Sequence, residues 1–259
     1  MKFIKISSKD NLLIKKIVKL ATDAKLRNKE KLALIFGKHL VEEAIKYNRL
    51  QVLLMDISNK EQYEDLLQIV QLEEVYLLPS KLIDKINLLD SATDIVGLIN
   101  VENLDVKEGL YEDDCLILEN IQDPGNLGTI LRSCASTGVK NIILSKDCVD
   151  VYNPKVLRSS QGIQFGLNIY RNIDLIDFVN KYNKQLIITT PYATKSIYDF
   201  NFTNPTAFIF GNESIGVTRA LSHIVNSHVK IPMVEGVESI NVAMAATVCL
   251  FEMYRQRIK

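Results

Sequence analysis

Residues 119–138 read ENIQDPGNLGTILRSCASTG and come directly after the apolar run CLIL at 115–118. The run reads as a buried strand, and residues 119–138 as a turn into a helix. Pro124-Gly125 suits the centre of a type II turn, because Pro pre-sets φ and Gly takes φ > 0. Asn126 then caps the helix, and Gly138 ends it as a left-handed residue. Leu127, Ile130, Leu131 and Cys134 form an apolar helical stripe, while Gly128 leaves room for a close neighbour. Arg132 lies off the stripe, in the second turn. An Arg near a helix start, beside free backbone N–H groups, suits a phosphate. The same pattern also describes a capped helix with one solvated Arg.

Strand and helix patterns alternate on both sides of this unit, as in an α/β protein. Toward the C-terminus, NIILS (141–145), QLIITT (185–190), TAFIF (206–210) and HVKIPM (228–233) read as strands. NPKVLRSSQG (153–162) reads as a short helix with Asn153 as cap and Pro154 in its first turn. DLIDFVNKY (174–182) is a helix. Ser239 caps a long final helix, which carries Arg255, Arg257 and Lys259 where cations suit the macrodipole. Toward the N-terminus, Leu12, Leu13, Ile17 and Leu20 recur at helical spacing. LALIF (32–36), QVLLMDIS (51–58), EVYLL (74–78) and DIVGLIN (94–100) are strands. Helices HLVEEAIKYN (39–48), one opening at Asn59-Lys60, and KLIDKINLL (81–89) capped by Ser80 lie between them. Residues 1–105 therefore make a small α/β sandwich domain, 106–113 a polar linker and 114–259 a second domain.

The 259 residues are 47% hydrophobic and 24% charged, ordinary globular usage that excludes a disordered, collagen-like or disulfide-stapled chain. No apolar run has a membrane span's length, and the first residues lack a signal peptide's apolar core. Net charge is zero, so there is no basic coat. Yet residues 1–50 hold 13 Lys/Arg against 5 Asp/Glu, and residues 51–105 hold 3 against 11. A local basic surface binds phosphate without a high pI. The four cysteines form no CxxC and read as reduced thiols of a cytosolic protein. The three histidines have no ligand spacing, so no metal is expected.

Three strand-end loops, 120–128, 211–216 and 231–241, are rich in Gly, Asn and Ser. Ligands of open α/β sheets bind at such ends, so the loops are candidates for one shared site. No Walker A, GxGxxG, Ser-His-Asp or paired-carboxylate pattern competes. Chemistry here must come from polar positioning.

Taken jointly, the loops resemble the SpoU (TrmH) family of RNA ribose 2′-O-methyltransferases. The motif N-x-x-D-P-x-N-x-G-x-x-x-R matches Asn120, Asp123, Pro124, Asn126, Gly128 and Arg132. F-G-x-E-x-x-G matches Phe210, Gly211, Glu213 and Gly216. I-P-M followed by S-[LI]-N-V matches Ile231, Pro232, Met233, Ser239, Ile240, Asn241 and Val242. Arg158 and Gly162 also stand at family positions. FGKHLVEEAIK (36–46) and SATDIVGLIN (91–100) resemble the N-terminal extension of the rRNA-modifying branch, a domain like a ribosomal kink-turn-binding protein.

The resemblance implies a parallel-sheet α/β knot (SPOUT) domain, a trefoil knot in its C-terminal segment, and a homodimer. It implies S-adenosyl-L-methionine as cofactor, held by Thr189, Gly211, Ile231, Met233, Ser239 and Asn241. It implies 23S rRNA as substrate, with Lys15, Arg27, Arg132 and Arg158 touching RNA. Arg132, Asn126, Glu213, Ser239 and Asn241 would form the catalytic set. A guanidinium is too weak an acid for simple base work, so Arg132 is expected to fix a phosphate and stabilise developing charge. A non-catalytic RNA-binding protein and a base-nitrogen methyltransferase are the rival readings.

Overall fold

The computed structural model describes residues 1–87 and 92–258. The end of the helix expected over 81–89, Ser91 of the 91–100 stretch, and Lys259 lie outside the described residues. The chain forms two compact units, Met1–Glu102 with Asp150–Phe165, and Asn103–Val149 with Gly166–Lys259.

In the first unit the elements run β1 (Lys2–Lys5), α1 (Leu12–Thr22), α2 (Ala24–Glu30), β2 (Leu32–Phe36), α3 (Lys38–Lys46), β3 (Leu50–Asp56), α4 (Glu64–Ile69), β4 (Glu74–Leu78), α5 (Ser80–Ile86) and β5 (Ile95–Asn100). The described strands order as β1-β4-β3-β5-β2. The β1–β4 and β3–β4 pairs are parallel, while β5 runs antiparallel to β2 and β3. Asn11 caps α1, accepting from the Leu13 N–H at 2.9 Å. Ile14, Ile17 and Leu20 of α1 pack with Leu34, Leu54 and Val96 in one core cluster. The lysines of α1 fall on its other faces, as an amphipathic helix requires. Pro79, not Ser80, is the N-cap of α5, and Ser80 is its first residue. Strand β1 has no counterpart among the sequence expectations, because four alternating residues carry little pattern.

In the rest of the chain come β6 (Cys115–Leu118), α6 (Pro124–Thr137), β7 (Asn141–Ser145), α7 (Pro154–Ser160), β8 (Asn168–Ile173), α8 (Leu175–Lys181), β9 (Gln185–Thr189), β10 (Thr206–Phe210), α9 (Arg219–Ile224), β11 (His228–Val229) and α10 (Val242–Arg257). Helix α7 belongs to the first unit. The second unit's strands order as β11-β9-β10-β6-β7-β8, all pairs parallel. Between β6 and β10 the strand order reverses, and ligands favour the carboxyl ends of strands at such a switch point. Strand β11 is shorter than the expected HVKIPM run, which fits Pro232 having no N–H for a ladder.

Helix α10 packs against α6 and β10. Its last turn does more than face the macrodipole. The Arg257 guanidinium pairs with Asp114, and donates to the carbonyls of Phe202 at 2.6 Å and Asn204 at 2.7 Å. Phe202 is fully buried between Phe200 and Phe208. The four cysteines are free, and burial pushes every thiol above its ordinary range, so none is a thiolate at neutral pH. Phe202→Ala should lower the stability of this unit by about 3–5 kcal/mol, read as an earlier transition in urea melts.

Candidate functional site

The loop after β6 begins with Asn120, which adopts a left-handed φ of 55°. Its N–H donates to Ser145 Oγ at 2.9 Å, and its carbonyl accepts from Asn212 Nδ2 at 2.9 Å. No type II turn is formed at Pro124-Gly125. Pro124 is instead the first residue of α6 and Asp123 is the N-cap, accepting from the Asn126 N–H at 2.7 Å. Proline's fixed φ and missing N–H suit that first helical position. A Cβ at Gly125 would stand 2.9 Å from the Asp123 cap oxygen, which explains the glycine.

The loop after β10 folds back on itself. Asn212 and Gly216 exchange backbone hydrogen bonds at 3.1 and 2.9 Å. A Cβ on Gly211 would lie 2.2 Å from the backbone of Gly216 and Val217, so the backbone approach that Gly211 permits is within its own loop. This fold presents Glu213 to the first loop. Its carboxylate accepts from the N–H groups of Gln122 (3.3 Å) and Asp123 (3.2 Å) and from Asn126 Nδ2 (3.1 Å). Desolvation raises the Glu213 pKa, but these hydrogen bonds outweigh it and hold the group below its ordinary value.

The third loop enters through Asn241. It is Asn241, and not Ser239, that caps α10, accepting from the N–H groups of Ala243 (2.8 Å) and Met244 (3.3 Å). Its Nδ2 donates to Asn126 Oδ1 at 2.8 Å. Asn126 therefore spends both ends of its amide, one on Glu213 and one on Asn241. Three loops are joined by three side chains.

Beside this junction lies a cavity of about 530 Å³. Thr189, Gly211, Glu213, Ile231, Met233 and Ser239 all line it. Asn126 and Asn241 stand at the junction rather than in the lining. Arg132 is exposed on α6, and among the described residues no hydrogen bond or ion pair holds its guanidinium. Lys15 is exposed and pairs with Asp10 at 3.1 Å, and Arg158 is exposed on α7. Arg27 overturns its expected role. It is 3% exposed, and its guanidinium is spent on Asp150 and the carbonyls of Leu20 and Ala21, so it cannot reach RNA.

The cavity also takes Tyr192, Ser222 and His228. Tyr192 lies just past the strand end at Thr189 and is findable there. Ser222 Oγ lies 3.4 Å from His228 Nε2, but a six-residue helix and a two-residue strand carry no pattern that links them. Ile188, Phe210, Ile231 and Met233 supply an apolar wall, and the strand-end backbone supplies polar edges. A flat nucleoside with a polar tail fits that donor set. Among the described residues no group of His, Cys, Asp and Glu could hold a metal, and no helix is long and apolar enough to cross a membrane.

The model of the SpoU rRNA Methylase family matches residues 114–251. An uncharacterized tRNA/rRNA methyltransferase of Synechocystis is 45% identical over 145 residues, 55% of this chain and 53% of that protein. The match thus spans about half of that relative's length. The 23S rRNA (uridine(2479)-2′-O)-methyltransferase of Streptomyces viridochromogenes is 30% identical over 204 residues, 75% of this chain and 71% of that one. The crystal structure of the SpoU methyltransferase AviRb from the same organism, in complex with the cofactor AdoMet, superposes with a TM-score of 0.82 at 25% identity, covering 95% of this chain and 98% of that one. With three loop motifs meeting at one junction and a family match across more than half its length, the chain belongs to the SpoU rRNA Methylase family.

Proposed function

We propose that this protein transfers a methyl group from S-adenosylmethionine to a ribose 2′-hydroxyl of RNA, with 23S rRNA as the substrate. One observation carries the reading: the Asn126–Glu213–Asn241 junction sits beside the cavity, at the start of the helix bearing Arg132. Thr189, Gly211, Ile231, Met233 and Ser239 would hold the cofactor. Bound there, it supplies an electrophilic methyl group on a sulfonium. The chain's own tasks are then placement and charge. Asn126, fixed at both amide ends, shapes the floor for the target nucleotide. Asn241 fixes the start of α10 beside it. The Arg132 guanidinium is free to grip a phosphate next to the target ribose and to stabilise negative charge as the 2′-oxygen attacks.

The first unit, with exposed Lys15 and Arg158, serves as the RNA substrate-binding domain, and the second, Asn103–Val149 with Gly166–Lys259, as the methyltransferase domain. A trefoil knot in the C-terminal segment is supported by the match to the SpoU rRNA Methylase family. A homodimer is supported by α10, whose Met244, Phe251 and Tyr254 are exposed along one face, with Ile258 exposed just past its end, while Ala246, Leu250 and Met253 are buried on the other. A second copy of that face is the natural cover. The protein acts in the cytoplasm, where rRNA and reduced thiols coexist.

Purified protein with methyl-labelled S-adenosylmethionine and unmodified rRNA transcripts should place label on a 2′-O-methylated nucleoside after digestion. Label on a base, or on no RNA, would sink the reading. Arg132→Ala should cut transfer by about 10²–10³-fold while calorimetry shows unchanged cofactor affinity. Glu213 has a depressed pKa when folded, so its contribution is complete above about pH 4.5, its ordinary value, and is lost as pH falls through the depressed value. Glu213→Gln should therefore melt earlier than wild type at pH 7, with the gap closing in acid. Phe251→Glu should convert dimer to monomer in light scattering.

A further inference from the structure

Segment Asp150–Phe165 lies between β7 and β8 in the chain, yet it is part of the first unit. The packing of α7 on β2 and the Tyr152 hydroxyl, which donates to the Glu102 carbonyl at 3.3 Å, hold it there together with Arg27. Arg27 Nε donates to Asp150 Oδ2 at 2.7 Å, and Nη1 donates to the carbonyls of Leu20 at 2.6 Å and Ala21 at 3.3 Å. The Asp150 side chain is 12% exposed, and its Oδ1 accepts from the Tyr152 N–H at 3.1 Å. A buried ion pair adds little net stability, since dehydration of both charges offsets their attraction. In some proteins such a pair admits one register and rejects others, because a shifted chain would leave a charge buried and alone.

The segment also has hydrogen bonds of its own. Gln164 Nε2 donates to the Val151 carbonyl at 3.0 Å, and Gln164 Oε1 accepts from Ser160. Asn153 caps α7, accepting from the Lys155 N–H at 2.9 Å. At the exit, Gly162 has a φ of +77°, and a Cβ there would press on Glu43 and Leu40 of α3 at 3.1 and 3.2 Å. Val156, Leu157 and Ser160 form the buried face of α7, which packs on β2. Arg158 is left pointing out. Arg27 pairs with Asp150 at the entrance of this module, and Gly162 permits the close approach to α3 at its exit.

We infer that Arg27 is a positioning residue for the methyl-transfer reaction: through Asp150 it sets the register of segment 150–165 and so holds Arg158 at a fixed point for an RNA phosphate. The inference rests on the proposed RNA methyltransferase reading. It gives the first unit a second task, since residues of its α2 orient a cation 131 positions later in the chain. A guanidinium recognises phosphate through paired, directional hydrogen bonds, so a shifted helix costs more than a shifted point charge would.

A double-mutant cycle in the full-length protein tests this. Arg158→Ala should raise the KM for a 23S rRNA transcript about tenfold with kcat nearly unchanged, the cost of one charged contact. Arg27→Met should do the same, and the double variant should be no worse than Arg158→Ala alone. Asp150→Asn, which keeps the shape and removes the charge, should reproduce Arg27→Met and covers the case in which that variant folds poorly. Calorimetry should show unchanged S-adenosylmethionine affinity throughout. Penalties that multiply in the double variant, or a wild-type KM in Arg27→Met and Asp150→Asn, would overturn the inference. Hydrogen exchange reads the register without activity: Arg27→Met should speed exchange across 150–165 and leave β6 and β10 unchanged. If wild type labels no RNA, the methyltransferase reading fails by itself, and unchanged exchange in 150–165 then removes the positioning role separately.

Discussion

The Glu213 carboxylate is exposed yet partly desolvated, and it gathers hydrogen-bond donors in place of the water it loses. It finds two of them on the backbone of another loop, at Gln122 and Asp123, and a third on the Asn126 amide. Those donors are in reach only because β6 and β10 are neighbours whose carboxyl ends point the same way. The parallel pairing thus brings the carboxylate and its donors together. With Glu213 fixed, Asn126 has one amide orientation, and Asn241 must approach its other end. The start of α10 is positioned by that contact and its end by Arg257 on Asp114.

Helix α10 therefore carries much of the architecture. It is apolar on two faces, one covered by α6 and β10 and one exposed. Ser133 Oγ and Thr247 Oγ1 meet at 2.6 Å across the α6–α10 contact, which small residues such as Ala243 and Ala246 keep close. A helix held at both ends by polar contacts and along its length by packing makes a rigid wall beside the cavity. Placement is most of what an enzyme supplies when the methyl donor is already reactive.

Several local features stand a residue or two from where pattern alone puts them, and each shift has a cause. Pro124-Gly125 suits a turn centre and equally a helix start, and the Asp123 side chain decides between them by accepting from Asn126. Ser239 and Asn241 are both good caps. The one that wins is the one whose amide also reaches Asn126, a partner 115 residues away. Arg27 reads as one more cation in a basic stretch, because composition does not report which side chain points inward. Strand β8 and helix α9 lack a clean period, and both owe their form to neighbours rather than to pattern.

Local chemistry along the chain is enough for the alternation of strands and helices and for the three loops that carry the polar residues, while the cavity residues Thr189, Ile231 and Met233 are named only through the family resemblance. The alternation and the loops arise from hydrophobic periodicity and from residue types with strong local preferences, which act over a few positions of chain. Long-range packing is needed before segment 150–165 groups with the first unit, Arg27 is buried on Asp150, and Asn126 stands between Glu213 and Asn241. Each of those is a pairing of polar groups far apart in sequence. Their energy depends on burial and geometry that no local window contains, so they become legible only once the sheet has brought the loops together.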